Sequence, residues 1–98
     1  MLAITKNING DTMTMALEGR LDTTTAPQLE DQMKDLDTVD KLLFDFTNLE
    51  YVSSAGLRML LSGHKAMMGK GGMKITNVNE AVMEVFELTG FADILDIE

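Results

Sequence analysis

The chain has 98 residues, with 16 acidic against 8 basic side chains and a formal net charge of −8. A domain this acidic is repelled by phosphate backbones and anionic membrane surfaces, so nucleic acid and lipid are poor partners. It holds no cysteine, which excludes disulfides, thiolate metal sites and a thiol nucleophile.

Hydrophobic residues make up 45% of the chain, enough for one compact domain over 1–98. A domain of this size buries roughly 65% of its extended-chain surface. The N-terminus, MLAITKNING, lacks a basic region followed by a long apolar stretch. No run approaches the roughly 18 apolar residues of a membrane span. The expectation is a soluble, cytoplasmic protein with no membrane insertion.

Leu2 and Ile4 alternate with polar residues up to Asn9-Gly10, a hairpin signal in which both residues tolerate positive φ. Thr12 to Leu17 then reads as a second strand, with Met13, Met15 and Leu17 on one face. Gly19-Arg20-Leu21-Asp22-Thr23-Thr24-Thr25 breaks that pattern. Thr25-Ala26-Pro27-Gln28 fits a capping box with proline in the first turn. Leu29, Met33 and Leu36 follow at helical spacing, and the helix is expected to end near Asp37.

Lys41 to Phe46 reads as a buried strand, and Thr47 to Val52 as a short connector. Ser53-Ser54-Ala55-Gly56 opens a second helix from about Ala55 to Met68, with Leu57, Leu60 and Leu61 apolar. Gly69 to Gly72 stops it, and Met73 to Val78 forms another strand. Asn79 is placed to cap a third helix with Ala81, Val82, Val85, Phe86 and Leu88 inward, and Gly90 to end it in a left-handed conformation. Phe91 to Ile97 suits either a short helix or an edge strand. The order β-β-α-β-α-β-α predicts an α/β fold, a mixed sheet of about four strands with helices packed on it.

The chemistry available is narrow. His64 is the only histidine, so a transition-metal site lacks ligands, and no loop carries carboxylates at calcium-loop spacing. Ser54-Ala55-Gly56 is not a glycine-flanked nucleophile elbow, which leaves a Ser54–His64 hydrolase without its motif. Gly63 to Lys70 fails as a phosphate loop, having five residues between its glycines and ending a helix instead of starting one. No metal, cofactor or catalytic residue is expected. Nine methionines suit gap-filling in a core.

Ser53-Ser54 remains. Serine is a favoured N-cap, so one hydroxyl satisfies orphan N–H groups. The alternative is phosphorylation, which adds about −1.5 to −2 charges at a helix start that stabilises them.

Several segments together resemble the STAS-domain family, specifically the small bacterial anti-sigma factor antagonists. They are Gly19-Arg20-Leu21-Asp22 with its threonines, Leu43-Phe44-Asp45-Phe46, Tyr51-Val52-Ser53-Ser54-Ala55-Gly56-Leu57, Gly71-Gly72, Asn79 and Phe86 through Gly90-Phe91. The resemblance implies a non-enzymatic regulator of transcription that works by partner switching. It would bind an anti-sigma factor that is also a GHKL-type serine kinase, be phosphorylated by it, and be restored by a PP2C-type phosphatase. The family's phosphorylated serine falls on Ser54, with Ser53 as the less favoured site. Asp22, Thr23, Ser53 and Gly56 fall around the partner-binding surface. Two departures accompany the match: many members carry Asp where this chain has Ser53, and many continue into a helix beyond the position of Glu98. A constitutive STAS subunit of a transport or signalling assembly, with no phospho-switch, is the rival expectation.

Overall fold

A computed structural model describes residues 1–98. Leu2–Asn9 (β1) pairs antiparallel with Thr12–Leu21 (β2), from Leu2↔Gly19 to Asn9↔Thr12. The turn consists of Gly10 and Asp11, and only Gly10 takes a positive φ, 64°. The hairpin is therefore centred one residue later than the Asn-Gly pair. β2 also outruns its expected end at Leu17, because Leu21 returns a buried apolar side chain to the same core.

Ala26–Gln32 (α1) has Pro27 in its first turn, as expected, but stops short of Asp37. A separate 3-10 turn over Leu36–Thr38 follows. Lysines occupy the carbonyls exposed by these breaks. Lys6 Nζ donates to the Gln32 carbonyl at 3.0 Å and pairs with Asp35 at 2.8 Å, while Lys70 Nζ donates to the carbonyls of Leu36 and Val39 at 2.9 and 3.0 Å. Such side chains satisfy helix-end acceptors that have no backbone partner.

Lys41–Val52 (β3) is the longest strand and absorbs the expected connector. It pairs parallel with β2, but Ala16↔Asp45 is followed by Glu18↔Asn48, and Gly19↔Leu49 by Arg20↔Tyr51. At each step β3 carries one residue more than β2, the signature of a bulge. Each extra residue rotates the side chains by one position, so the inward residues after Phe46 are Leu49 and Val52, three apart. That spacing hid the strand from a period-two reading. Asp45 fixes the first bulge, accepting from Thr47 N and Oγ1 at 3.0 and 2.6 Å and from Asn77 Nδ2 at 3.0 Å. These bonds, that of the Thr47 hydroxyl first, hold the Asp45 carboxyl below its ordinary pKa.

Ser54–Met67 (α2), Gly72–Thr76 (β4) and Glu80–Thr89 (α3) follow. Asn79 caps α3 with its Oδ1 accepting from Val82 N at 2.8 Å, and Gly90 ends it at φ 81°. Leu88, expected inward, is 79% exposed, and Ala81 is exposed as well. The buried stripe is Val82 and Phe86, and two residues of helix carry Leu88 to the far side. Phe91–Asp93 forms a 3-10 turn and Asp96–Ile97 (β5) a two-residue strand, so the last segment is both alternatives in succession.

The sheet order is β1-β2-β3-β4-β5, parallel throughout except for the β1/β2 hairpin. It has five strands, one more than the expected four. One face is apolar: Met13, Met15, Leu17, Leu42, Phe44, Phe46 and Ile75 meet Leu29, Leu60, Met67, Val82 and Phe86 from the helices. Phe44, Phe46 and Phe86 form a tilted run with centroids 5.6 and 6.5 Å apart. Removing such a ring forfeits both its transfer energy and the packing around the hole. Phe86→Ala is expected to cost about 3–5 kcal/mol, read as a lower urea midpoint with an unchanged slope.

Candidate functional site

Strands β2 and β3 run parallel to the same end, where Leu21 lies opposite Val52. Ser53 N donates to the Leu21 carbonyl at 2.9 Å, which extends the pairing by one residue before α2 begins. Ser53 has extended backbone (φ −93°, ψ 177°), and its Oγ accepts from Gly56 N at 3.3 Å. Ser53 is therefore the N-cap, and Ser54 is the first helical residue with an exposed side chain. The cap belongs to Ser53, and the Ser54 hydroxyl takes no part in it.

Gly56 is buried in the first turn of α2. A Cβ there would stand 2.7 Å from Leu21 Cγ and 3.0 Å from the Leu21 carbonyl oxygen. Only a residue without a side chain lets the helix start rest on the end of β2.

On the β2 side, Asp22 folds the loop onto itself. Its Oδ1 accepts from Thr24 N (2.9 Å), Thr24 Oγ1 (2.7 Å) and Thr25 N (3.2 Å), an Asx-type turn. The Thr24 hydroxyl chiefly, with the two backbone N–H groups, holds the Asp22 carboxyl below its ordinary value of 3.8. Thr25 does not cap α1 as the capping-box reading expects. Its buried hydroxyl instead accepts from Asp22 N at 2.8 Å and donates to the Arg20 carbonyl at 2.9 Å. It locks the β2–α1 corner from inside, and leaves Thr23 and Thr24 exposed at the tip.

Composition gave no sign of one neighbour. The Arg20 guanidinium lies 4.4 Å from the centroid of the Tyr51 ring, and Arg20 Nε is 3.9 Å from Asp22 Oδ2. Beside α2, a shallow groove of about 190 Å³ runs toward α1, lined among others by Thr23, Pro27, Glu30, Ala55 and Arg58. The structure thus gathers Asp22, Thr23, Ser53, Ser54 and Gly56 at one end of the sheet, where open α/β sheets present their crevices.

Ser54 and His64 lie on one helix ten residues apart, about 15 Å along its axis, beyond any proton transfer. No group of three or more His, Cys, Asp or Glu side chains is placed to hold a metal ion. No helix is long and apolar enough to cross a membrane.

The family model described as "Mlab, STAS domain" matches residues 4–96, and the chain belongs to the STAS-domain family. The chain is 28% identical over 91 residues to the anti-sigma-B factor antagonist of Bacillus subtilis, covering 91% of this chain and 84% of that protein. It is 34% identical over 86 residues to BtrV of Bordetella bronchiseptica, covering 83% and 72%. The fold is shared with the anti-sigma factor antagonist SpoIIAA in its unphosphorylated form, with a TM-score of 0.82 at 19% identity over 98% of this chain and 88% of that one. The phosphorylated form of SpoIIAA, from Bacillus, superposes with a TM-score of 0.75 at 18% identity, over 98% and 91%.

The capping role of Ser53 is measurable. Ser53→Ala is expected to lower stability by about 1 kcal/mol through loss of the cap, whereas Ser54→Ala stays within about 0.5 kcal/mol of wild type. Chemical denaturation of the two variants distinguishes them. Asp22 makes a separate prediction. A carboxyl with a lowered folded pKa contributes stability above its unfolded value, and loses that contribution as pH falls through the folded value. The stability gap between wild type and Asp22→Asn should be full above pH 3.8 and close as the pH is taken below it.

Proposed function

We propose that this protein is an anti-sigma factor antagonist that acts by reversible, phosphorylation-sensitive protein binding. Its partner is an anti-sigma factor that is also a GHKL-type serine kinase. The unmodified chain, one STAS domain over residues 1–98, occupies that partner and so frees a sigma factor. Phosphorylation of Ser54 ends the complex, and a PP2C-type phosphatase restores it. The protein is a cytoplasmic regulator and not an enzyme; ATP belongs to the partner kinase.

One observation carries this reading: Ser53 supplies the cap, so the neighbouring Ser54 hydroxyl is exposed and free of any structural duty at the helix start. A phosphate added there meets unpaired N–H groups and the positive end of the helix dipole, and the fold need not change to receive it. At a protein interface the same charge acts by repulsion and desolvation. The names of the relatives support the class, and the existence of SpoIIAA in two phosphorylation states supports the mode.

Asp22, Thr23, Ser53 and Gly56 frame the surface around Ser54. Asp22 presents a fixed loop, and Gly56 sets the height of the helix start against it. Where many family members carry Asp, Ser53 keeps the capping role without its charge, since both residue types are good N-caps. The kinase therefore meets one negative charge fewer beside its target than in those relatives.

The test is a pull-down from lysate of the native organism in ATP and in ADP, followed by intact-mass analysis of the bait. Wild type should recover a GHKL-type kinase and gain one phosphate only in ATP, while Ser54→Ala binds without gain. Ser54→Asp should bind the recovered kinase at least roughly tenfold more weakly than Ser54→Ala, as expected of a like charge set into an interface. Gain on both baits would move the switch to Ser53. Partners held equally by wild type and Ser54→Asp, with no mass change, would replace the switch with a constitutive STAS subunit.

A further inference from the structure

We propose that Arg58 is the intramolecular partner of a phosphate on Ser54, and that phosphorylation draws its guanidinium away from the α1–α2 groove. This rests on the reading of Ser54 as phosphoacceptor. Ser54 and Arg58 stand four residues apart on α2, which makes them neighbours on one helix face. The anion lies N-terminal to the cation, the favoured order for such a pair.

The other nearby cation is already engaged. Arg20 stacks on Tyr51 and lies beside Asp22. The ion pairs of the fold use Lys6, Arg20, Lys34 and Lys74, and Lys70 is spent on backbone carbonyls. Arg58 is exposed, forms none of these pairs, and lines the groove together with Glu30 of α1. A guanidinium matches phosphate with two parallel N–H···O bonds and carries a weaker hydration shell than an ammonium. Against a phosphate carrying close to two charges, the single carboxylate of Glu30 is the weaker attractor.

One modification thus rewrites the surface twice. It places negative charge at the start of α2 and removes a positive side chain from the groove one turn further on. A partner that reads both features loses both at once.

The experiment uses the full chain with phosphoserine installed at position 54 during translation, so that no kinase is needed. The second ionisation of the phosphate is followed by phosphorus NMR in wild type, Arg58→Gln, Arg58→Lys and Arg20→Gln. The charged groups around the phosphate are Arg58, Arg20, Asp22 and Glu30, and a nearby cation favours the dianion. Arg58→Gln should raise the apparent second pKa by about 0.4 unit or more. Arg58→Lys should keep part of the wild-type value, and Arg20→Gln, which removes a guanidinium engaged by Tyr51 and Asp22, should raise the pKa less than Arg58→Gln does. No rise in Arg58→Gln, or an equal rise in Arg20→Gln, would overturn the assignment. Arg58 is exposed, so the Arg58 variants should retain the wild-type circular dichroism and melting behaviour. A kinase that never modifies Ser54 would sink the earlier reading while leaving this titration intact, and a flat titration would do the reverse.

Discussion

Everything at the candidate site depends on β2 and β3 staying paired to their last residues. The two strands are separated in sequence by a helix and a 3-10 turn, yet they arrive side by side at Leu21 and Val52. The Ser53 N–H then closes on the Leu21 carbonyl, and Gly56 lets the first turn of α2 sit directly on Leu21. A bulky residue at position 56, or a slip of the strands by one register, would separate the serines from the Asp22 loop. The helix start is therefore held by the sheet itself.

Much of this was legible from residue pattern. Met13, Met15 and Leu17 alternate, and all three are fully buried. Asn79 and Gly90 mark α3 because the helix-end conformations they serve depend on local chemistry. The failures share a different cause. β3 continues through two bulges, and each changes the side-chain phase, so Phe46, Leu49 and Val52 are spaced like no regular strand. Asn79 helps hold that irregular stretch, its Nδ2 donating to the Leu49 carbonyl at 2.7 Å. That bond joins residues thirty positions apart, and no local window contains both. Likewise β5 is a strand only because β4 offers it an edge.

The site was legible in outline and ambiguous in detail. A strand followed by two serines and a glycine announces a helix start, but the choice of capping serine is made by backbone angles. Those angles follow from the Ser53–Leu21 hydrogen bond, a tertiary contact. Thr25 shows the same limit from the other side. Its spacing to Gln28 imitates a capping box, yet the burial of its hydroxyl turns it toward Arg20 and Asp22 instead. The pairing of Arg20 with Tyr51 joins two strands and has no signature in either.

Lys6 carries a consequence of another kind. β1 is the outer strand of the sheet, and an outer strand leaves a row of backbone donors and acceptors with no partner. In the register of the hairpin Lys6 lies opposite Met15, on the apolar side, and its ammonium reaches out only by bonding Gln32 and Asp35. A second chain adding itself along β1 would have to pack against that charge or strip it of its partners. Proteins commonly guard open sheet edges with an inward-facing charge of this sort. The lysine that closes the end of a helix thereby also works against edge-to-edge pairing along β1.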